Sequence, residues 1–251
     1  MKKLALGLNV IALGVMTAGA QAASMKLGSM HIQQNVTIDG VQESIWEKAE
    51  PLMVTVDETP YKPSNGYEGM EETKVEVRSL YDDNHVYFLL KYADPTKSLE
   101  RFPWVKQEDG SWKQMANKDS TGHENTYYED KVAFIWDINQ KGFKKKGCDM
   151  SCHMVEDGML EGVKDTSAGR HFTKEGETLD IWHWKSARTN AIGQMDDQYI
   201  NSDHQENKGW GRHSDHKTGG GYKNNRTKDG SMPAYMNANP SEENKYWVLD
   251  S

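Results

Sequence analysis

Two neighbouring segments with strictly alternating side chains place the tightest constraint on the fold of this 251-residue chain. In residues 73–81, Val75 and Val77 alternate with charged residues, and residues 86–92 alternate aromatic with aliphatic side chains. A period of two is that of a β-strand with one buried face. Because a turn-forming cluster at residues 82–84 separates the two segments, they predict a β-hairpin.

The rest of the chain carries shorter strand signals separated by polar stretches. Residues 131–138 have apolar side chains on both faces, which predicts a strand in the centre of its sheet. Residues 179–187 predict a strand, or a strand running into a short helix. Residues 97–128 and 201–229 lack periodicity and predict long loops. We therefore expect a mainly β fold, an antiparallel β-sandwich with long loops and a few short helices.

Composition narrows the class of protein further. Aromatic residues make up 10% of a chain whose mean hydropathy is −0.85. Disordered chains are poor in aromatic residues, so this combination predicts a folded core beneath a polar surface. The formal net charge of −8 argues against a nucleic-acid partner. No apolar stretch outside the N-terminus is long enough to cross a bilayer, so we expect no membrane span.

The N-terminus has the three parts of an export signal in the right order. Lys2 and Lys3 are followed by an apolar run over residues 4–16 and then by Ala20-Gln21-Ala22, which fits the cleavage pattern A-x-A. We expect a signal peptide over residues 1–22, cleaved near Ala22, and a periplasmic mature protein. Residues 23–251 are then predicted to form a single domain.

The chain has two cysteines, and both lie in Cys148-Asp149-Met150-Ser151-Cys152-His153. Covalent haem c attachment normally uses C-x-x-C-H, in which two thiols form thioethers and the histidine binds iron. The spacer here is three residues, a rarer variant that serves the same chemistry. Three alternatives stay open on the residues alone: a disulfide between Cys148 and Cys152, a zinc site that includes His153, and a chance arrangement.

Several stretches, spread over roughly residues 36–200, carry a family resemblance, and Trp182-His183-Trp184-Lys185 is the most specific of them. The others are Ile38-Asp39-Gly40, Trp46 with Ala49, residues 77–95, Glu129-Asp130-Lys131-Val132-Ala133, Ile135-Trp136, residues 147–153, Arg188 and Asp196-Asp197-Gln198. Together they resemble the haem-binding subunits of the ethylbenzene dehydrogenase type.

This resemblance implies a β-sandwich that holds one haem. Subunits of the family's enzyme complexes hold haem b between Met and Lys ligands and carry electrons from iron–sulfur and molybdenum subunits, whereas related exported members attach haem covalently. The chain departs from the haem b pattern at Cys148, Cys152 and His153, which stand where a Met ligand is expected. The departure implies one covalent haem c with His153 as an axial ligand. Haem b is the alternative cofactor, and Met150 and Met154 lie nearby.

The resemblance also supplies Lys185 as the second axial ligand, and His183 is the other candidate. If residues 179–187 form a strand, His183 and Lys185 share one face, while Trp182 and Trp184 occupy the other and pack in the core. A desolvated pocket beside a metal would lower the pKa of Lys185 enough for the amine to bind iron. An exposed lysine on an edge strand is the competing interpretation.

The leading hypothesis is a periplasmic monohaem c-type cytochrome that transfers electrons and is not itself an enzyme. It would act as a free carrier or as the haem subunit of a molybdenum oxidoreductase, with a redox protein as its partner. The alternative is a non-haem binding module. Such a module would use Trp104, Trp112 and Trp210 to bind a carbohydrate, or Cys148, Cys152 and His153 to bind zinc or copper.

Two smaller features complete the sequence-based expectations. The exposed run Lys144-Lys145-Lys146 before Cys148 would place positive charge near a haem edge and steer an acidic electron partner. His213 and His216 are a weak candidate for a metal site. The family continues through a late apolar strand, whereas this chain stops at residues 246–249. We expect either that the last sandwich strands are missing or that a partner or an incomplete gene model explains the difference.

Overall fold

The structure is a computed structural model that describes residues 25–57, 70, 72–115, 129–153, 171–203, 211–215, 220–234 and 246–247. The predicted signal peptide lies outside these residues. The chain divides into two compact units, residues 1–54 with 74–92 and residues 55–73 with 93–251. The prediction of a single domain over residues 23–251 stays a prediction. No helix in the described ranges has the length and apolarity needed to cross a membrane.

The first unit is built around the predicted hairpin. Its elements are β1 (Ser29–His31), a 3-10 helix (Ser44–Lys48), β2 (Leu52–Val56), β3 (Thr73–Tyr81) and β4 (Val86–Lys91). Strand β3 pairs antiparallel with β4, with Arg78 opposite Leu89, which confirms the hairpin. The same strand pairs parallel with β1 and has β2 as a neighbour in the sheet.

The core of this unit lies on one face of β3. Leu80 is completely buried and packs with Ile32, Ile45, Trp46 and Ala49. Alternation had assigned the opposite face, that of Val75 and Val77, to the core. Val77 is also buried, so both faces of β3 are partly covered.

The second unit contains two separate sheets. Its described elements are β5 (Trp104–Lys106), β6 (Trp112–Gln114), β7 (Lys131–Asp137), α1 (Phe143–Lys146), 3-10 helices at Gly147–Met150 and Asn190–Ile192, β8 (Leu179–Lys185), β9 (Asp196–Ile200), β10 (Arg212–Ser214) and β11 (Tyr246–Trp247). The larger sheet is antiparallel with the order β10-β9-β8-β7, and the smaller sheet has the order β11-β5-β6. The prediction of a mainly β fold with antiparallel sheets is confirmed.

Three sequence-based expectations for this unit are wrong. Strand β7 ends the order of its sheet in the described part of the chain, and β8 has partners on both sides, so β7 is not central. Residues 97–128, expected to be irregular, contain the hairpin of β5 and β6. Residues 201–229, expected to be one long loop, contain β10, which pairs with β9. These short strands have too few residues to show a period.

Strand β8 determines which side chains face each other in the larger sheet. Leu179 and Ile181 lie on the same face as His183 and Lys185, and they pack with Ile200 in the core of this unit. On the other face Trp182 contacts Trp136, with ring centroids 5.0 Å apart. The division into two faces is as predicted, but the fully buried residues are on the face of Lys185. Trp182 and Trp184 are only half-buried.

Candidate functional site

Cys148 and Cys152 lie on one tight turn at the end of α1. The backbone N–H groups of Ser151 and Cys152 both donate to the carbonyl of Cys148, at 2.9 and 3.1 Å. This bonding brings the two cysteines to the same short segment, where Cys148 is exposed and Cys152 half-buried. Both cysteines are thiols, so the structure does not contain the disulfide that the sequence left open. Two accessible thiols followed by a histidine are the donor set that covalent haem attachment requires.

His153 is placed against the segment that precedes β8. Its ring stacks on Phe172 with centroids 3.6 Å apart, and its Nε2 lies 3.2 Å from the Phe172 carbonyl oxygen. The backbone N–H of Phe172 donates to the carbonyl of Ser151 at 3.0 Å, and Cys152 forms an antiparallel bridge with His171. The structure therefore brings Cys148, Cys152 and His153 together.

Residues 148–153, called the cysteine segment below, are attached to one end of the larger sheet through Phe172 and the residue that follows it. The N–H of Thr173 donates to the carbonyl of Asn201, at 3.1 Å, and Asn201 follows the last residue of β9. Ile200 in turn stands opposite Leu179, the first residue of β8. The cysteine segment is thus held where β8 begins.

Lys185 is the last residue of β8 and is buried. It is 4% exposed, and its Nζ donates to Oδ2 of Asp196, which is 0% exposed. Burial lowers the pKa of Lys185 to about 8, and the hydrogen bond and charge of Asp196 act in the opposite direction. The interpretation of Lys185 as an exposed lysine on an edge strand is wrong, because β8 lies between β7 and β9.

In the sequence, Asp196 belongs to one of the stretches that carry the family resemblance. The structure places it beside Lys185. Its Oδ2 also accepts a hydrogen bond from Nε2 of Gln198 at 3.0 Å, while its Oδ1 is buried without a hydrogen-bond partner. No signal in the sequence paired Asp196 with Lys185. The pairing depends on the register of β8 and β9, in which His183 faces Asp196.

A glycine-containing segment covers the buried pair. The ring of Tyr222 lies 4.5 Å from Nζ of Lys185 and 4.9 Å from Cζ of Arg188. The N–H of Lys223 donates to the Arg188 carbonyl at 3.0 Å. A Cβ on Gly220 would lie 1.9 Å from the carbonyl oxygen of Met195, so only glycine allows the chain to approach β9 this closely. The polar, aperiodic sequence around Tyr222 gave no sign of this role.

Arg188 is engaged by a different carboxylate. Its Nε donates to Oε1 of Glu129, and Oε2 of Glu129 accepts the backbone N–H groups of Ala187 and Arg188, both at 3.0 Å. Glu129 is 3% exposed. The two buried carboxylates thus hold different cations: Asp196 holds Lys185, and Glu129 holds Arg188.

His183 lies within β8, between the two ends of that strand, and is opposite Ala133 on β7 and Asp196 on β9. Burial lowers its pKa to about 2, and the positive charges of Lys185, Lys131 and other nearby cations act in the same direction. The imidazole is neutral at neutral pH, which is the form that binds a metal.

The structure does not bring Lys185 next to the cysteine segment. Strand β8 has seven residues, so its first and last residues are about 20 Å apart at about 3.3 Å per residue. The cysteine segment is bonded near Leu179, and Lys185 is at the other end. The two predicted axial ligands are therefore far apart: Lys185 is the last residue of β8, and His153 lies near the other end of that strand.

The remaining candidates receive little support. Trp104 is 3% exposed and its Nε1 donates to the carbonyl of Asn225, so it anchors a loop and cannot stack on a sugar. Trp112 is half-buried. In the described residues no group of three or more His, Cys, Asp and Glu side chains could hold a metal ion. The other candidates lie outside the described residues: Met154, Trp210 and His216.

Comparison with known proteins identifies one family. No curated protein and no solved structure shows a significant match to the chain. The family model described as ethylbenzene dehydrogenase matches residues 43–248, which include parts of both units, the cysteine segment and the strand that carries Lys185. The chain belongs to the ethylbenzene dehydrogenase family.

Proposed function

We propose that this chain is an exported electron-transfer protein that attaches one haem covalently through Cys148 and Cys152. The observation that carries the proposal is the pair of thiols on one turn with His153 directly after them. Family membership supports a haem-binding role. When bound, the haem would supply an iron that cycles between Fe(III) and Fe(II), while the two thioethers would fix its position.

His153 is the proposed axial ligand on the side of the thioethers. Its ring is held by Phe172, and its attachment next to Cys152 keeps the imidazole close to any porphyrin bonded there. Lys185 is the proposed ligand on the other side. The lowered pKa of about 8 supports this role, since a lysine must lose a proton before its nitrogen can bind a metal.

Ligation of one iron by both residues requires a rearrangement. Because His153 and Lys185 lie near opposite ends of β8, the cysteine segment would have to leave its contacts with His171 and Phe172 when haem is attached. His183 is the alternative second ligand. It is neutral, and it lies one alternation step closer to the start of β8 than Lys185 does.

The protein would act as a carrier or as the haem subunit of a molybdenum oxidoreductase, not as a catalyst. In the second case its partners would be iron–sulfur and molybdenum subunits. Removal of residues 1–22 near Ala22 would release the mature protein into the periplasm, where covalent haem attachment takes place.

The attachment is tested by spectroscopy on protein made in a host with a cytochrome c maturation system. A Soret band that stays with the polypeptide in acidified acetone is the expected result for wild type. The single variants Cys148→Ser and Cys152→Ser should each retain one thioether, and the double variant should release its haem. Ser151→Ala, between the cysteines, is the matched control and should keep the haem bound. Haem extracted from the wild type would instead indicate haem b, and a colourless wild type would overturn the proposal.

The second axial ligand is tested by comparing Lys185→Ala with His183→Ala in the haem-loaded protein. Loss of the Lys185 amine should convert a low-spin visible spectrum into a high-spin or altered one, while His183→Ala should leave it low-spin. The opposite pattern would assign the ligand to His183. An unchanged spectrum in both variants would indicate that the second ligand is a methionine, such as Met150.

A further inference from the structure

We propose that Phe172 is a latch for His153, closed in the haem-free protein and open once haem is attached. The closed latch keeps the His153 imidazole apart from Cys148 and Cys152, so that the three side chains do not bind a free metal ion together. The inference rests on the proposed covalent attachment of haem. It adds a role for Phe172 in the haem-free protein, where that role can be tested without any haem.

Two contacts form the latch. The rings of His153 and Phe172 stack with centroids 3.6 Å apart and planes inclined by 13°. Nε2 of His153 lies 3.2 Å from the carbonyl oxygen of Phe172. Because a carbonyl oxygen can only accept a hydrogen bond, Nε2 carries the proton and donates, and a protonated ring nitrogen has no lone pair for a metal. The latch therefore occupies Nε2, the ring nitrogen farther from the backbone.

The pairing of the cysteine segment with its neighbour divides the donor side chains between two faces. Cys152 and His171 form an antiparallel bridge, so their side chains point to the same face. Phe172 follows His171, and successive side chains of an extended segment point to opposite faces. The ring of His153 stacks on Phe172 and thus lies on the face away from the Cys152 thiol.

This division explains why a segment rich in donors does not form a metal site. Cys148, Cys152 and His153 are close in sequence, and His171 is bridged to Cys152. Two thiolates and two imidazoles are a common ligand set of structural zinc sites. In the part of the chain that the structure describes, however, no group of three or more His, Cys, Asp and Glu side chains is placed to hold a metal ion. The closed latch accounts for this arrangement.

Haem attachment requires the latch to open. Both thiols and the His153 imidazole then belong to one porphyrin, so the imidazole must leave the Phe172 ring. Thr173 stays on the sheet, because it is 5% exposed and its N–H donates to the Asn201 carbonyl at 3.1 Å. The N–H of Phe172 donates instead to the carbonyl of Ser151, at 3.0 Å. Opening the latch therefore breaks the hydrogen bond of Phe172 and spares that of Thr173.

The closed latch is tested by titrating Zn²⁺ into the full-length chain, made without haem and kept reduced. Phe172→Ala removes the ring, so His153 can turn towards Cys148 and Cys152, and Zn²⁺ should bind about tenfold tighter than to wild type. Phe172→Tyr keeps the ring and is the matched control, expected to bind Zn²⁺ as wild type does. Adding His153→Ala to Phe172→Ala should remove the gain.

The opening is tested by hydrogen exchange on haem-free and haem-loaded wild type. The Phe172 amide should exchange at least about tenfold faster in the loaded protein, because it has lost its hydrogen bond. The Thr173 amide is the internal control and should exchange at the same rate in both forms. Equal acceleration of both amides would contradict a latch, because the whole segment would then have loosened.

Each remaining outcome decides part of the inference. Equal zinc affinities of wild type and Phe172→Ala would overturn the closed latch, and so would a gain that survives His153→Ala. Equal exchange of the Phe172 amide in the two forms would overturn its opening. A colourless protein from a host that matures cytochromes c would overturn the attachment and the opening together, while the zinc titration would still decide the closed latch. If Phe172→Ala does not fold, Phe172→Leu, which is apolar but has no ring, should show the same tighter binding.

Discussion

The pair of Lys185 and Asp196 brings two formal charges into a place that almost no water reaches. The side chains are 5% and 0% exposed. Removing one member of such a pair leaves the other charge buried without compensation, which is far more costly than losing the pair as a whole. The stability of the haem-free protein should therefore depend strongly on which member is changed.

We expect Lys185→Met to lower the free energy of unfolding of the haem-free protein by about 3–5 kcal/mol, since it strands the Asp196 carboxylate. The double variant Lys185→Met with Asp196→Leu should recover most of the loss. Lys48→Met, at an exposed lysine, should change stability by less than about 0.5 kcal/mol. Denaturant unfolding measures all three. A double variant as unstable as Lys185→Met would contradict this account.

The alternation of side chains predicted the face of β8 on which Lys185 lies, but it did not predict that Asp196 is its partner. Alternation in Trp182-His183-Trp184-Lys185 correctly placed His183 and Lys185 on the same face of β8. The pairing with Asp196 depends on the residues between β8 and β9, whose length and turns set the register. A single sequence carries no direct signal for such a register, so the buried carboxylate could not be found before the structure.

At the scale of elements, the turn of the β3–β4 hairpin is held by one side chain. Oδ1 of Asp82 accepts the backbone N–H groups of Asn84 and His85, both at 2.7 Å, and Oδ2 accepts the hydroxyl of Tyr87 at 2.7 Å. The hydrogen bond from Tyr87, followed by that from Asn84, lowers the pKa of Asp82 to about 2. These contacts favour the ionised carboxylate.

This lowered pKa gives a pH-dependent prediction. A carboxylate whose pKa is lower in the folded than in the unfolded state adds stability above the unfolded value of 3.8, and this contribution is lost as the pH falls through about 2. Tyr87→Phe should raise the pKa of Asp82, measured by NMR titration. The stability difference between wild type and Tyr87→Phe should be larger at pH 6 than near pH 2. A difference independent of pH would show that the phenol acts only by packing.

Gly211 connects the end of the larger sheet with the segment that holds His153. Its φ is +73°, and a Cβ there would lie 2.6 Å from the carbonyl oxygens of Asn201 and His171 and from Cβ of Phe172. Gly230 has nearly the same φ, +74°, but nothing lies within 4 Å of its Cβ position. A comparison of substitutions at the two glycines therefore separates the cost of backbone strain from the cost of steric crowding.

Alanine substitutions at these two glycines should differ in cost. Both should lose about 1–2 kcal/mol from the left-handed backbone, and Gly211→Ala should lose about 1–3 kcal/mol more from overpacking. Thermal and denaturant unfolding measure the difference. Gly211→Ala should also disturb the stacking of His153 on Phe172, which NMR can follow. Equal losses in the two variants would mean that the chain near Gly211 yields easily.

The elements that could be predicted are those long enough to show a period. Strands β3, β4 and β8 were found because five or more residues alternate, whereas β5, β6 and β10 have three residues each and carry no pattern. The apolar character of β7 on both faces misled the prediction of its place in the sheet. A strand at the end of the described order can be covered on both faces by other parts of the chain, so burial alone does not identify a central strand.

At the scale of the whole molecule, the spacing of motifs along the chain did not predict their spacing in the fold. The sequence predicts one haem site with two parts, residues 148–153 and Lys185. In the structure Lys185 is the last residue of β8, and residues 148–153 lie near the other end of that strand. The distance depends on contacts between residues far apart in sequence, such as the hydrogen bond from Thr173 to Asn201, and not on local pattern. The thiols and His153 were predicted together because they are neighbours in sequence.

The distribution of charge over the molecule bears on where electrons enter and leave the proposed haem. The chain carries a net charge of −8, yet Lys144, Lys145 and Lys146 are all exposed on α1, immediately before the proposed thioether at Cys148. A local patch of one sign changes the rate of association with charged reagents even when the net charge has the other sign. The reaction of the reduced haem protein with small charged oxidants should therefore respond to this patch.

Reversal of these three lysines to Glu should slow oxidation by anionic ferricyanide on the order of tenfold at low ionic strength, and should speed oxidation by a cationic cobalt complex. Both effects should fade at high salt, because screening removes interactions between exposed charges. Reversal of Lys48, Lys74 and Lys91, all exposed in the first unit, changes the net charge equally and is the matched control. Stopped-flow rates that respond equally to the two triple variants would mean that the reagents sense only net charge. Rates that respond only to the α1 variant would place the electron-transfer edge beside Cys148.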